Sequence, residues 1–438
     1  MKHHSSGFNR QIMIGVVLVI LAIGAIVFLD TSTKGDATRF TQREQPPTSD
    51  RFSLARESQG SPESAIELAA VIRNQTDSTG GDLGTDEKKY SLAQFQGIEE
   101  PAEEECVTLT DGMVIKETPI ICVGTVKLSQ GVIIETSNEH PEIVLDCSEG
   151  GIQGTEGSRI GIQINSKKPT HTVTIRNCHI SGYGDAILSY DPVIANIEYN
   201  KIDSGNGVNS IGGMNGIRFI RETEDDSGTL SPNVRIIKNQ LYNLKTNVVV
   251  RNSKRVEVSL NTISHDIDKG TWGIKLRNAS SGDEQSYVVG NDVSGVKYGL
   301  LLRNTSKVEV SSNKFSSPPT QTHSAGIIGK GKSEKNTIIG NRVHKFGLSV
   351  LLEENTNQWM IAYNDFLTGN DAGYQAVDYS KNKNMFYNPS NSIGNYWNDY
   401  KPGHNPAVLL PYLISNGKID GGPVISDLFP ALTPNFPQ

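Results

Sequence analysis

Cysteine is scarce, with four in 438 residues, which excludes a Cys-rich knot. Aromatic residues make up 7% and Gly is abundant at 43, which is not the composition of a helical bundle. Basic charge has no excess. The 41 Lys and Arg face 48 Asp and Glu, a formal net of −7. A nucleic-acid binder carries a strongly basic face, so no nucleic acid is expected as a partner. The length allows two or three domains, or one elongated one.

Long apolar runs are lacking, with one exception. Ile12 to Leu29 (IMIGVVLVILAIGAIVFL) holds 18 residues with no charge. That is the short end for a membrane-spanning helix. Lys2 and Arg10 precede it, while Asp30, Lys34, Asp36 and Arg39 cancel behind it. Positive charge stays inside, so the rest of the chain is expected outside the cytoplasm. A cleaved signal peptide is the alternative. Its apolar region is usually shorter, and no Ala-x-Ala follows Leu29. The reading is a cytoplasmic tail over 1–11 and an uncleaved anchor over 12–29.

Residues 31–105 carry eight Lys and Arg against fifteen Asp and Glu, and so hold the whole acidic imbalance. This stretch is rich in Ser, Thr, Gln and Glu. It buries too little apolar surface to offset chain entropy, which predicts a disordered linker over 30–105. Ser61-Pro62-Glu63 is a helix-start signal, and a short helix is expected near 62–73.

From Cys106 onward a repeat organises the chain. Its form is apolar-x-apolar-x-x-Asn-x-apolar: VTIRNCHI, ANIEYNKI, VRIIKNQL, VEVSLNTI, YVVGNDV, VEVSSNKF, NTIIGNRV and WMIAYNDF. The Asn positions are 177, 200, 239, 261, 291, 313, 341 and 364. A second phase, Gly-apolar-x-apolar, lies between them at Gly216, Gly273, Gly299, Gly326 and Gly347. Both alternate with period two, so both are strands. Neither buries its face alone, and stacked repeats make one core. Intervals of 22–23 residues fit one coil of a parallel β-helix, and longer ones mark inserted loops such as Arg221 to Gly228. Asn at a bend tolerates left-handed backbone, and stacked amides bond along the axis. A propeller blade needs about 40 residues, and a sandwich does not repeat one motif eight times.

These motifs resemble the right-handed parallel β-helix repeats of pectate-lyase-like proteins and of the NosD-like copper-maturation group. Ile143-Val144-Leu145-Asp146-Cys147 followed by VTIRNC is similar to the opening of the second group. Gly394-Asn395-Tyr396-Trp397-Asn398-Asp399-Tyr400 and Pro411-Tyr412-Leu413-Ile414, with Asp420 and Pro423, are similar to its end. The resemblance covers roughly 106–430 and implies a single-stranded, all-β solenoid of about ten coils over 106–393, with a C-terminal cap and tail over 394–438. It says little of activity, because the repeat is architectural. Relatives carry an Asp/Gly-rich run before the Pro-Tyr. Here it is Lys401 to Pro406, without acids, so no Ca²⁺ site is expected.

An extracytoplasmic location permits disulfides. A Cys106–Cys122 bridge would tie down the N-terminal end, while Cys147 and Cys178 are expected to pack near the core. Nine His, at 3, 4, 140, 171, 179, 265, 323, 344 and 404, are scattered, as are six Met. Copper sites want clustered soft ligands, so no metal and no cofactor are expected.

The strongest constellation comes from aligning Val248 to Asn252, Ile274 to Asn278 and Leu300 to Asn304. Apolar residues alternate inward, which puts Lys275 outward and stacks Arg251, Arg277 and Arg303 in one outward column. Such cations repel by about 1 kcal/mol per pair even in water. Interleaved carboxylates or a bound anion would hold them, and Arg suits bidentate anion recognition. An extended acidic polysaccharide is the natural ligand; the bland alternative is a solvated, neutralised column. Lyase or epimerase chemistry on uronic acids needs carboxylate neutralisation and a base. Lys275, Arg277, Asp266 and Asp268 are the weak candidates. A hydrolase would need two carboxylates roughly 5–9.5 Å apart. Trp272, Trp359, Trp397, Tyr363 and Tyr396 are candidates for sugar stacking or for packing at the cap. Sequons begin at Asn74, Asn278 and Asn304. The reading is a membrane-anchored extracytoplasmic binding module for an acidic glycan. The alternatives are a lyase or epimerase, or a rigid structural or assembly protein of the cell surface.

Overall fold

The computed structural model describes residues 106–205, 214–220, 230–266, 272–279, 284–318, 323–367, 375–380, 384–400, 412–415 and 425–436. The anchor segment 12–29, the linker 30–105 with its short helix, the 221–228 insertion and the 401–406 run lie outside them. Among the described residues there is no α-helix, and hence none long and apolar enough to cross a membrane.

The described chain winds into a parallel β-helix with three faces. Two of them belong to one sheet of 19 strands, and the third is a sheet of 11 strands, one per coil. Strand Thr246–Ser259 shows how the larger sheet bends. Its first half pairs with Trp272–Ala279 on the first face, and its second half pairs with Ser286–Val289 on the second. Among the described strands every pairing is parallel except Tyr412–Ile414 against Ile425–Asp427 near the C-terminal end.

Parallel register stacks like on like. On the first face Ile217, Val248, Ile274, Leu300, Ile327 and Val350 form one inward column, every member inaccessible to solvent. On the third face Ile180, Ile202, Leu241, Ile263, Val293, Phe315, Val343, Phe366 and Trp397 do the same. Side chains widen along this column, from aliphatic to aromatic. Gly329 on the first face makes room for another buried ring, that of Trp359. A Cβ there would lie 2.7 Å from the Trp359 ring, so only glycine leaves room for it.

Between the second and third faces runs an asparagine ladder. Asn200, Asn239, Asn261, Asn291, Asn313, Asn341, Asn364 and Asn395 are all buried. Each side-chain Nδ2 donates to the Oδ1 of the next, at 2.8–3.1 Å. The backbone N of each donates to the same Oδ1. The expectation that the repeated Asn takes the left-handed bend is corrected in position. The left-handed residue is the one before it: Tyr199, Lys238, Leu260, Ser312 and Tyr363 all have φ of 55–58°. Asn177 belongs to that column, with φ 55°, and is not a rung. Its neighbour Cys178 occupies the rung, and the Cys178 backbone N donates to Asn200 Oδ1 at 3.0 Å.

Cys106 is bonded to Cys122. Cys147 and Cys178 are core-packed, each 1% exposed, and they are also bonded to each other. Sequence reading treated them as separate packers. The coil-to-coil register places Asp146 opposite Arg176 and so brings the following thiols together at the same corner.

Candidate functional site

Register fixes the cation column on the outer first face. Arg251 pairs with Arg277, Arg277 with Arg303, and Arg303 with Lys330. Lys275 stands in the neighbouring outward column, between Val249 and Leu301. A second Asn ladder runs beside the column. Asn278 Nδ2 donates to Asn252 Oδ1 at 2.7 Å, and Asn304 Nδ2 donates to Asn278 Oδ1 at 3.1 Å. These three residues sit at φ 49–56°, the left-handed region that Asn tolerates. The sequon asparagines Asn278 and Asn304 thus spend their amides on the turn.

The acids near this face are engaged at its edges. Lys330 pairs with Glu353 at 2.8 Å. Arg218 donates to both oxygens of Asp185, at 2.7 and 2.8 Å. Among the described residues no carboxylate lies within ion-pair distance of Lys275, Arg277 or Arg303. Burial lowers the Lys275 pKa, and Arg251, Arg277 and Arg218 lower it further. Burial likewise lowers Arg277, aided by Arg251 and Arg303. The arrangement concentrates positive potential on half-buried groups, where it is screened least.

Aromatic surface adjoins the cations. The Lys275 Nζ sits 4.4 Å from the Trp272 ring centroid, and Trp272 packs on Tyr298 at 4.4 Å and 32°. Trp359 and Trp397 are fully buried, so neither meets a ligand. Trp397 stacks on Tyr412 at 4.3 Å near the C-terminal end, and Tyr363 meets Phe436 edge-on. No contact joins Asp266 to Lys275 or Arg277; its backbone N instead donates to Asn243 Oδ1 at 3.0 Å. Asp268 lies outside the described residues. The neighbouring His265 is held neutral, because burial pushes its pKa down to about 4.

The third face carries a concavity that the sequence reading missed. It is a groove of about 720 Å³ over the strands that begin at His179, Lys201, Gln240 and Thr262. His179 Nε2 lies 2.7 Å from Asp203 Oδ2 across adjacent coils. The only signal in the sequence is that the residues flanking the inward apolar position after each rung are polar.

Residues 209–402 match the NosD family, described as periplasmic copper-binding protein. The match covers the middle and later coils of the β-helix and includes Arg251, Arg277, Arg303 and Lys275. No curated protein matches the chain. The NosD description implies copper. Copper takes thiolate, thioether or imidazole. All four Cys precede the NosD-matched segment, and all are bonded in disulfides. Among the described residues no three His, Cys, Asp or Glu cluster. The thiols of this NosD-like β-helix are thus closed to copper and no His, Cys or acid cluster stands in for them among the described residues, so no chemistry is routed through copper.

Proposed function

We propose that this NosD-like β-helix is a membrane-anchored, extracytoplasmic module that binds an extended acidic polysaccharide along the first face. Arg251, Arg277 and Arg303 would take successive carboxylates or sulfates, and Lys275 would add a fourth cation beside Trp272. One observation carries the reading: Arg277 and Arg303 stand one coil apart with no described carboxylate between them. An anion supplied from outside removes a repulsion that the free protein carries. The periplasmic description of the matched family supports the location, and two disulfides fit an oxidising compartment. The anchor at 12–29 rests on hydropathy alone.

The test is binding of oligogalacturonate and heparin fragments to the purified full chain in detergent, beside an Arg251→Ala/Arg277→Ala/Arg303→Ala variant. Binding that weakens with salt and disappears in the variant supports the reading. Equal binding by both proteins, or by neither, overturns it.

The lowered pKa of Lys275 favours a second reading, a lyase or epimerase in which Lys275 is the base and Arg277 neutralises the uronate. Appearance of unsaturated uronate absorbance with oligogalacturonate, lost in Lys275→Met, would establish it.

A further inference from the structure

We infer that the groove on the third face is a separate binding site for an uncharged oligosaccharide. The argument starts from register. His179, Lys201, Gln240 and Thr262 are consecutive partners along one outward column, and Ser181, Asp203, Tyr242 and Ser264 are partners along the next. Every coil therefore contributes two outward side chains, and none of these eight is aliphatic. Three strand spacings make this floor roughly 14 Å long. The volume, about 720 Å³, lies within the range of small-molecule sites.

Chemistry then narrows the occupant. Most ligand pockets are lined mainly by apolar groups, and this floor offers an apolar ligand little to gain. The formal charges also cancel locally. Lys201 and Asp203 belong to the same strand, and Asp203 is already engaged twice. Its Oδ2 meets His179 at 2.7 Å, and its Oδ1 accepts from the Gly205 backbone N at 2.8 Å. The carboxylate is thus committed to the protein rather than offered to a cation. An acidic chain finds one lysine here, against the Arg column on the first face. Amides and hydroxyls remain, from Gln240, Thr262 and Ser264, and they both donate and accept. The Tyr242 ring is 37% exposed beside them. A partner with many hydroxyls, no net charge and a flat C–H face to lie on a tyrosine is a neutral sugar chain. Rings of such a chain repeat at about the rise of one coil, so successive units meet equivalent strands.

The floor is also preorganised. Lys201 and Gln240 directly follow the buried rungs Asn200 and Asn239, so the backbone beneath the site is fixed before binding. Binding then orders few side chains, which limits its entropic cost.

The experiment titrates the full chain with cellohexaose, laminarihexaose, maltohexaose and chitohexaose by calorimetry, with trigalacturonate as the charged control. At least one neutral hexasaccharide is expected to bind. Its affinity should fall about tenfold or more in Tyr242→Ala and in Gln240→Ala, equivalent to about 1.4 kcal/mol each. Arg277→Ala should leave it within about twofold, as should raising NaCl from about 50 to 300 mM, because no net charge is neutralised. Unchanged thermal unfolding of Tyr242→Ala and Gln240→Ala separates lost contacts from lost folding. The inference is overturned if no neutral hexasaccharide binds, if both groove variants bind normally, or if binding follows Arg277 and salt. Failure of the acidic-glycan reading would leave this result untouched, since the two sites share no residue.

Discussion

Asn395 hands its ladder to Asp427. The Asn395 backbone N donates to Asp427 Oδ2 at 2.7 Å, and its Nδ2 donates to the same oxygen at 3.2 Å. Trp397 Nε1 adds a third donor at 3.0 Å, and the Phe429 backbone N reaches Oδ1 at 3.0 Å. Each earlier rung both accepts and donates. A carboxylate accepts only, so Asp427 ends the series without leaving an amide donor unmet.

Asp427→Ala is expected to lower stability by about 3 kcal/mol or more, because several buried donors lose their acceptor. Asp427→Asn should cost about 1 kcal/mol, since its amide would face the Phe429 N–H. Burial raises the Asp427 pKa above 3.8. The protonated carboxyl is favoured in the folded state, so the wild-type advantage over Asp427→Asn should be fullest below about pH 3.8 and decline as pH rises through the raised folded value. Urea unfolding at several pH values checks both the size and the sign.

A central rung should be costlier than its size implies. Asn291 Nδ2 donates to Val258 O and Asn313 Oδ1, both at 2.8 Å, and its Oδ1 accepts from Asn261 N at 3.0 Å. Asn291→Ala leaves these partners buried and unsatisfied, for a loss of about 3 kcal/mol. The loss should exceed that of Leu260→Ala at the exposed left-handed position next to the ladder, measured by the same denaturant titration.

The Cys147–Cys178 bridge spans 31 residues. Replacing both with Ala is expected to cost about 3–4 kcal/mol on the chain-entropy model. Cys147→Ala/Cys178→Asn should recover part of that loss by placing an amide on the vacant rung above Asn200. Thermal unfolding of the two double variants side by side reads the difference.

Burial, with Arg251, Arg277 and Arg218 nearby, lowers the folded pKa of Lys275 below 10.5, so its charging opposes folding at neutral pH. A cation with a lowered folded pKa destabilises below that value, and the penalty disappears as pH rises past 10.5. Lys275→Met should therefore be more stable than wild type at pH 7, and the gap should close above about pH 10.5. Adding oligogalacturonate at pH 7 should narrow the gap as well, by stabilising the wild type more.

Period-two alternation made the strands and the coil legible, because every coil repeats the same inward columns. The Arg column was legible for the same reason: one residue type recurs at one register position. Asn177 was counted as a rung because it imitates the repeated residue, and only the hydrogen bond from Cys178 N to Asn200 separates rung from bend. The Cys147–Cys178 bond joins adjacent coils, a relation that sequence spacing alone does not encode. The groove was hidden for a different reason. Its floor draws on His, Lys, Asp, Gln, Tyr, Thr and Ser from strands 22 to 39 residues apart, so no residue type recurs to mark it.

A parallel solenoid has two unequal ends, and each is a template onto which another chain could add a strand. Here the described coils are followed by an antiparallel strand pair, Tyr412–Ile414 with Ile425–Asp427. Ser415, next to Tyr412–Ile414, still bridges Val377 in parallel, so within this pair it is Ile425–Asp427 that reverses strand direction. A second molecule arriving head-on would meet the wrong polarity at this edge and, at Asp427, an acceptor already filled. The carboxylate that closes one molecule's hydrogen bonds thus presents to any incoming strand two oxygens that already accept four donors.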